Sequence, residues 1–298
     1  MRPALLELAR AVSEKRLTDD VKAFARSRVP GSAGWHRVQE RLQRRLTELG
    51  FELERQEYGS GVNLIGTRRG ASREYVLVSA HYDHIAHCAG ADDNASGMAA
   101  VLEIARLLAS RPRARTLVIA FWDEEERGLL GSRAFAARAR ERSENIVATL
   151  SLDAVGVARA APGSQRVPPG LDKLLPAQAA LLAQRAFRAD FIALVANTDA
   201  RPLADRFSAY AGPLDLPLLR VDVSALEAAL LPDLFRSDHA AFWLAGYPGL
   251  LLTDTADYRN AGYHCQRAPD LPSTLDYEFL TRVTGAALAA VAETLEPR

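Results

Sequence analysis

A histidine and an aspartate one residue apart, His81 and Asp83, stand directly after the apolar run EYVLVSA, and the pair Asp92–Asp93 follows within GADDNASG. Further on, FWDEEERGLLGS sets the acids Asp123 to Glu126 behind the apolar run TLVIAFW, and SLDAVG sets Asp153 at the end of another. Beyond GLLLTDT the chain carries Tyr263–His264. Histidines and carboxylates without cysteine suit zinc with positions left open for water and substrate. Two histidines plus three carboxylates exceed what one catalytic zinc uses, so two ions sharing a carboxylate is the economical arrangement. Two ions about 3.5–4 Å apart can activate one water and polarise a carbonyl. A further carboxylate then serves as general base. The adjacent Glu125–Glu126 can supply both, one side chain to a metal and one to the water.

The elements that would position these residues alternate between strand and helix. Helices are expected over 3–26 and 33–49, the latter ended by Gly50, and strands over 51–58 and 62–69 around a Gly-Ser-Gly turn. The runs 75–80, 116–122, 145–156, 191–197, 216–223 and 249–255 read as further strands. Helices fall between them, over 95–110, through about 142, over 171–187 and over 201–211. Ser273 with Asp276 resembles a capping box for a last helix, 274–295. This order predicts an α/β fold, a three-layer α/β/α sandwich with a mostly parallel mixed central sheet. No composition break divides it, so one catalytic domain over 1–298 is expected, with the N-terminal helices of 1–50 packing on it. In such sheets ligands bind at the carboxyl ends of the strands, where the acids and histidines lie. Acids crowded there repel one another unless a cation or a shared proton offsets them.

Composition narrows the partners. Lys plus Arg number 37 and Asp plus Glu 37, so no net field favours nucleic acid or an anionic membrane. No run of about 18 apolar residues suits a membrane span, and the first 17 residues lack a signal-peptide core. As it stands the chain reads as cytoplasmic, or as secreted had a leader been removed. Cys88 and Cys265 flank ligand-bearing segments and could bridge, although a reducing cytosol argues against it.

The blocks HYD, GADDNASG, FWDEEERGLLGS, SLDAVG, SDHAAFWLAGYP and YHCQRAPDLPSTLD resemble, in the same order, those of the dizinc aminopeptidase family of zinc-dependent exopeptidases. That family is related to glutaminyl cyclases and glutamate carboxypeptidases, and the resemblance covers about residues 28–296. It implies that His81 and Asp153 bind one zinc, that Glu126 and His264 bind the other, and that Asp93 bridges. It also implies Glu125 as general base and Asp83 as the acceptor that sets the His81 tautomer. The implied reaction is metal-assisted hydrolysis of the N-terminal peptide bond of peptides with a free N-terminus. Tyr263 could donate to the developing oxyanion, or be a packed loop tyrosine. After His264, Cys265 and Asp270–Leu271 replace the family's usual Thr and Asp-Thr.

Several neighbours stay open. Asp92 competes with Asp93 for the bridging place, and Glu124 reads as a solvated or capping acid. His84, His87 and Cys88 would overfill the site as ligands and read as supporting or surface residues. Asp238–His239 reads as pocket support and His36 as solvated. Cobalt or manganese can replace zinc on such ligands. The competing readings are a one-zinc glutaminyl-cyclase-like acyltransferase, a carboxypeptidase using Arg201, Arg220 or Arg236, and a non-enzymatic module. Side-chain preference would be set by loops around 157–170, 196–240 and 256–263.

Overall fold

The computed structural model describes residues 1–224 and 231–296. Residues 225–230, within the 196–240 stretch expected to border the substrate pocket, lie outside the described residues, as do 297–298. The strands are β1 (Glu52–Tyr58), β2 (Gly61–Arg68), β3 (Tyr75–His81), β4 (Thr116–Trp122), β5 (Ile146–Leu152), β6 (Ile192–Asn197), β7 (Leu218–Val223) and β8 (Gly249–Thr253). They form one sheet in the order β1-β2-β4-β3-β5-β8-β6-β7. The four central strands, β4, β3, β5 and β8, run parallel. The β1–β2–β4 side and the β8–β6 step are antiparallel, which makes the sheet mixed.

The helices are α1 (Pro3–Arg10), α2 (Glu14–Phe24), α3 (Ala33–Glu48), α4 (Gly97–Leu108), α5 (Leu130–Glu141), α6 (Leu171–Leu174), α7 (Pro176–Gln184), α8 (Arg201–Ala211), α9 (His239–Leu244) and α10 (Tyr277–Leu295). Side chains of a strand alternate between sheet faces, and the core divides accordingly. Val76, Val78, Leu117, Ile119 and Phe121 pack with α4 and α10 on one face. Leu77, Val118, Ala120 and Trp122 meet Phe135 of α5 and Phe242 of α9 on the other. Each fully buried Leu, Val or Phe contributes about 1.5–3 kcal/mol of transfer free energy, so the central strands are held rigidly from both sides.

Three local boundaries differ from the sequence expectation. The helix expected over 3–26 is two, because Ser13 leaves the helix and caps α2 by accepting from the Arg16 amide. The helix expected over 171–187 breaks at Leu175, which leaves the helical region, φ −134° and ψ 64°, ahead of Pro176. The last helix starts at Tyr277, with Asp276 rather than Ser273 as the cap, accepting from the Phe279 amide at 2.9 Å.

Candidate metal centre

The parallel register sets the ends of the four central strands level. His81, the last residue of β3, pairs with Trp122, the last of β4, and Leu152 of β5 pairs with Leu252 of β8. His81, the Glu125–Glu126 turn and Asp153 therefore emerge at one rim, and His264 reaches it from the long connection after β8. There His81 Nε2 lies 3.1 Å from Asp93 Oδ1 and 3.5 Å from Asp153 Oδ1. On the other side of Asp93, His264 Nε2 lies 3.2 Å from Asp93 Oδ2 and 3.0 Å from Glu126 Oε2. The Glu125 carboxylate sits with His81 and Asp153, the three ligand atoms within 4.8 Å of one another.

These spacings fit a metal better than direct pairing. Two ligands about 2.0–2.1 Å from a tetrahedral zinc stand about 3.3 Å apart, close to the observed separations. Both ring nitrogens of His81, Nε2 of His264 and Oδ1 of Asp93 are buried with no hydrogen-bonding partner. Buried polar atoms are normally paired, so unpaired ones converging from three loops suit a cation. The donor set of imidazole and carboxylate suits zinc. Burial pushes the Glu125 carboxyl well above its ordinary range, with Asp153, Asp238 and Glu126 adding to the rise and His81 opposing it. Burial acts the same way on Asp93, but the close imidazoles of His264 and His81 outweigh it and hold that carboxyl well below its ordinary range.

The loop bearing Asp93 is tied down from several directions. Asn94 donates to the Leu152 carbonyl at 2.9 Å and accepts from the Gly97 amide, and a Cβ on Gly97 would meet both partners. Ser96 accepts from Val155 N and donates to Asp92 O. Asp270 accepts from the amides of both Asp92 and Asp93, at 3.0 and 3.1 Å. Arg28, fully buried, donates to the carbonyls of Phe24, Arg26, Tyr82, Ala89, Gly90 and Asp93. Cys88 and Cys265 form a disulfide with Cα atoms 5.6 Å apart, fastening this loop to the residue after His264.

The structure brings together His81, Asp93, Glu125, Glu126, Asp153 and His264. Asp83 lies 3.5 Å from His81 Nδ1 and accepts from the amides of Glu125 and Glu126, at 3.0 and 3.3 Å, so it joins two strand ends. Asp92 faces away from Asp93's partners, accepting from Gly156 N and Asn260 Nδ2. Tyr263 stacks on His264 with ring centroids 4.0 Å apart, its hydroxyl 3.4 Å from Arg236 Nη2. Asp238 is buried near Glu125, whereas His239 points elsewhere, donating from Nε2 to Leu234 O and meeting the Trp243 ring edge-on. Glu124 is not solvated: it is fully buried, paired with Arg127 at 2.7 Å and accepting from Ser60. His84 is also buried, against Glu126. Arg28 carries no mark in the sequence, since nothing near it in ARSRVP sets its guanidinium apart from a surface arginine.

No helix among the described residues is long and apolar enough to cross a membrane. A probable zinc metalloprotease of Pyricularia oryzae is 29% identical over 249 residues, covering 76% of this chain and 48% of that protein. An aminopeptidase of Pseudomonas aeruginosa is 41% identical over 91 residues, covering 30% of this chain and 17% of that protein. The chain thus spans half or less of these relatives' length. The solved aminopeptidase from Aneurinibacillus sp. strain AM-1 has the same fold, with a TM-score of 0.74 at 14% identity, covering 98% of this chain and 96% of that one. Residues 63–291 match the profile of peptidase family M28, a span that holds every converging histidine and carboxylate from His81 to His264, and the chain belongs to that family.

Proposed function

We propose that this peptidase is a dizinc aminopeptidase that releases the N-terminal residue of peptides. The observation that carries the reading is the Asp93 carboxylate, whose two oxygens face different histidines, His81 and His264. A carboxylate so placed suits bridging two ions, with Asp153 completing the His81 side and Glu126 the His264 side. Zinc bound there would lower the pKa of a water and polarise the scissile carbonyl. Glu125, buried beside them with its carboxyl pushed above the ordinary range by that burial, would take the proton from the attacking water and hand it to the leaving amine. Asp153 and Glu126 offer negative charge to the substrate's α-ammonium, which favours a free N-terminus. Tyr263, stacked on His264, would donate its phenol hydrogen bond to the developing oxyanion. Zinc-loaded protein is expected to release the first residue of free peptides and to leave N-acetylated ones intact. Conversion of an N-terminal glutamine peptide to pyroglutamate without release of an amino acid would overturn this in favour of the cyclase reading.

Chelation supplies a second test. Saturating metal stabilises by RT ln(1 + [L]/Kd), about 4 kcal/mol at a thousandfold excess over Kd. Removing it is expected to lower the unfolding midpoint by on the order of 10 °C, with recovery on adding zinc but not magnesium, which avoids imidazole.

A preference for apolar N-terminal residues follows from the neighbouring cavity. It has a volume of about 160 Å³, opens beside Asp153 and Tyr263, and runs over β6, β7 and β8 beneath α6 and α7. Ala193, Val195, Leu219, Val221 and Leu182 are among its apolar lining, and Asp153, Arg166, Asp233 and Arg236 are its charged lining. An apolar cavity of about 150 Å³ holds a benzene ring, so phenylalanine, leucine and methionine side chains match it. Ala193→Leu is expected to lower kcat/KM for phenylalanine and leucine anilides at least tenfold, and to leave the alanine anilide nearly unchanged, because about one to three kcal/mol attaches to each lost methylene-sized contact.

A further inference from the structure

We propose that His84 is a positioning residue for Glu126, fixing which carboxylate oxygen faces His264; this rests on the reading of Glu126 as a metal ligand. His84 lies three residues beyond His81, and its imidazole is fully buried. Its Nδ1 is 2.7 Å from Glu126 Oε1, while the other oxygen, Oε2, is 3.0 Å from His264 Nε2. His84, Asp93 and Glu126 each offer a ligand atom within 4.8 Å of the others, so a direct ligand role for His84 has to be weighed.

The separations decide it. Two ligands of one tetrahedral zinc stand about 3.3 Å apart, whereas 2.7 Å is a charge-assisted hydrogen bond. An ionised carboxylate only accepts, so Nδ1–H of His84 donates to Oε1. That bond occupies Oε1 and leaves Oε2 for the metal side. The ring has little freedom to do anything else. Its centroid is 5.9 Å from that of His264, and its Cδ2 would be 2.5 Å from a Cβ on Gly90. Gly90, at φ +60°, both turns the loop and leaves room for the imidazole. The arrangement mirrors the usual one in which a carboxylate orients a histidine ligand; here a histidine orients a carboxylate ligand.

The test is zinc affinity, read by competition with a chromophoric chelator on the full chain, together with zinc content at saturation. His84→Ala is expected to weaken zinc binding on the His264 side 10- to 100-fold and to leave the His81 side unchanged. His84→Asn, whose amide N–H branches from Cγ as Nδ1 does, is expected to restore most of that affinity. His84→Leu, which fills the space without a donor, is expected to match His84→Ala and so separates a lost hydrogen bond from a packing defect. Unfolding midpoints of the chelator-treated variants show whether the loss is local. Unchanged affinity in His84→Ala would sink the proposal. So would a zinc content of one at saturation in both the Ala and Asn variants, the mark of a direct ligand. A wild type that takes up a single zinc instead refutes the two-ion reading, and affinity for that one ion still decides His84: a tenfold loss with Ala, regained with Asn, keeps it, and no loss removes it.

Discussion

Replacing Glu125 by glutamine is expected to leave about two zinc ions per chain and to lower kcat by on the order of 10³-fold, within the range that a positioned acid–base group contributes. Glutamine has nearly the same shape, so packing is preserved, but its amide cannot accept and return a proton. Two features make this the sharpest test of the site. Glu125 is pushed well above the ordinary carboxyl range by burial and by the nearby Asp153, Asp238 and Glu126, as suits a base. Yet its carboxylate also falls within 4.8 Å of the donor atoms of His81 and Asp153, so geometry alone would admit it as a ligand. Zinc content by atomic absorption separates the roles: a base leaves it at about two, whereas a ligand lowers it. A variant that lost one ion would show that the roles of the two adjacent glutamates must be exchanged.

Substitution of Arg28 by methionine is expected to destabilise the protein by about 3–5 kcal/mol, the cost typical of breaking a buried ionic hydrogen-bonded group. Methionine fills comparable space but donates nothing to the six carbonyls that Arg28 serves, among them those of Tyr82, Gly90 and Asp93. Unsatisfied buried acceptors each cost about 1–3 kcal/mol unless the loop moves to find water. Burial lowers the Arg28 pKa to about 10, against the raising influence of Asp93, Asp83, Asp270 and Glu126. It therefore stays charged at neutral pH and offsets part of the crowded negative charge. The unfolding midpoint in the zinc-free state should fall by on the order of 10 °C, and zinc affinity should fall with it as the Asp93 loop loosens. A drop of less than about 1 kcal/mol, typical of surface sites, would mean that the loop is held by Asp270, Asn94 and the disulfide without this guanidinium.

The parts of the site legible in the sequence share one property: each is a local pattern. An apolar run followed by His81–Tyr82–Asp83, or by the acids of 123–126, or by Asp153, announces a strand and what stands at its end. Parallel α/β topology then collects such ends on one rim without any further information. Glu124 shows the limit of that logic. Its neighbours make it look like one more surface acid, but its left-handed backbone, φ 54°, and its bonds to Ser60 and Arg127 take it inside. His239 errs in the opposite sense, sharing a block with Asp238 while turning, on a short helix, toward Leu234 and Trp243.

The alternating strand and helix order, the types of the candidate ligands and their placement at strand ends can be read along the chain. These follow from period, composition and spacing, which are properties of short stretches. Which atoms face one another depends instead on how the folded segments pack. Arg28 and His84 gain their positions from the loop 82–93 folding back over the N-terminal helices, a contact between segments as much as 65 residues apart. The Cys88–Cys265 bridge spans 177 residues. The cavity beside Asp153 exists because the short helices α6 and α7, broken at Pro176, leave one face of β6, β7 and β8 incompletely filled. Such features depend on how distant surfaces meet, and no window of local sequence carries that information.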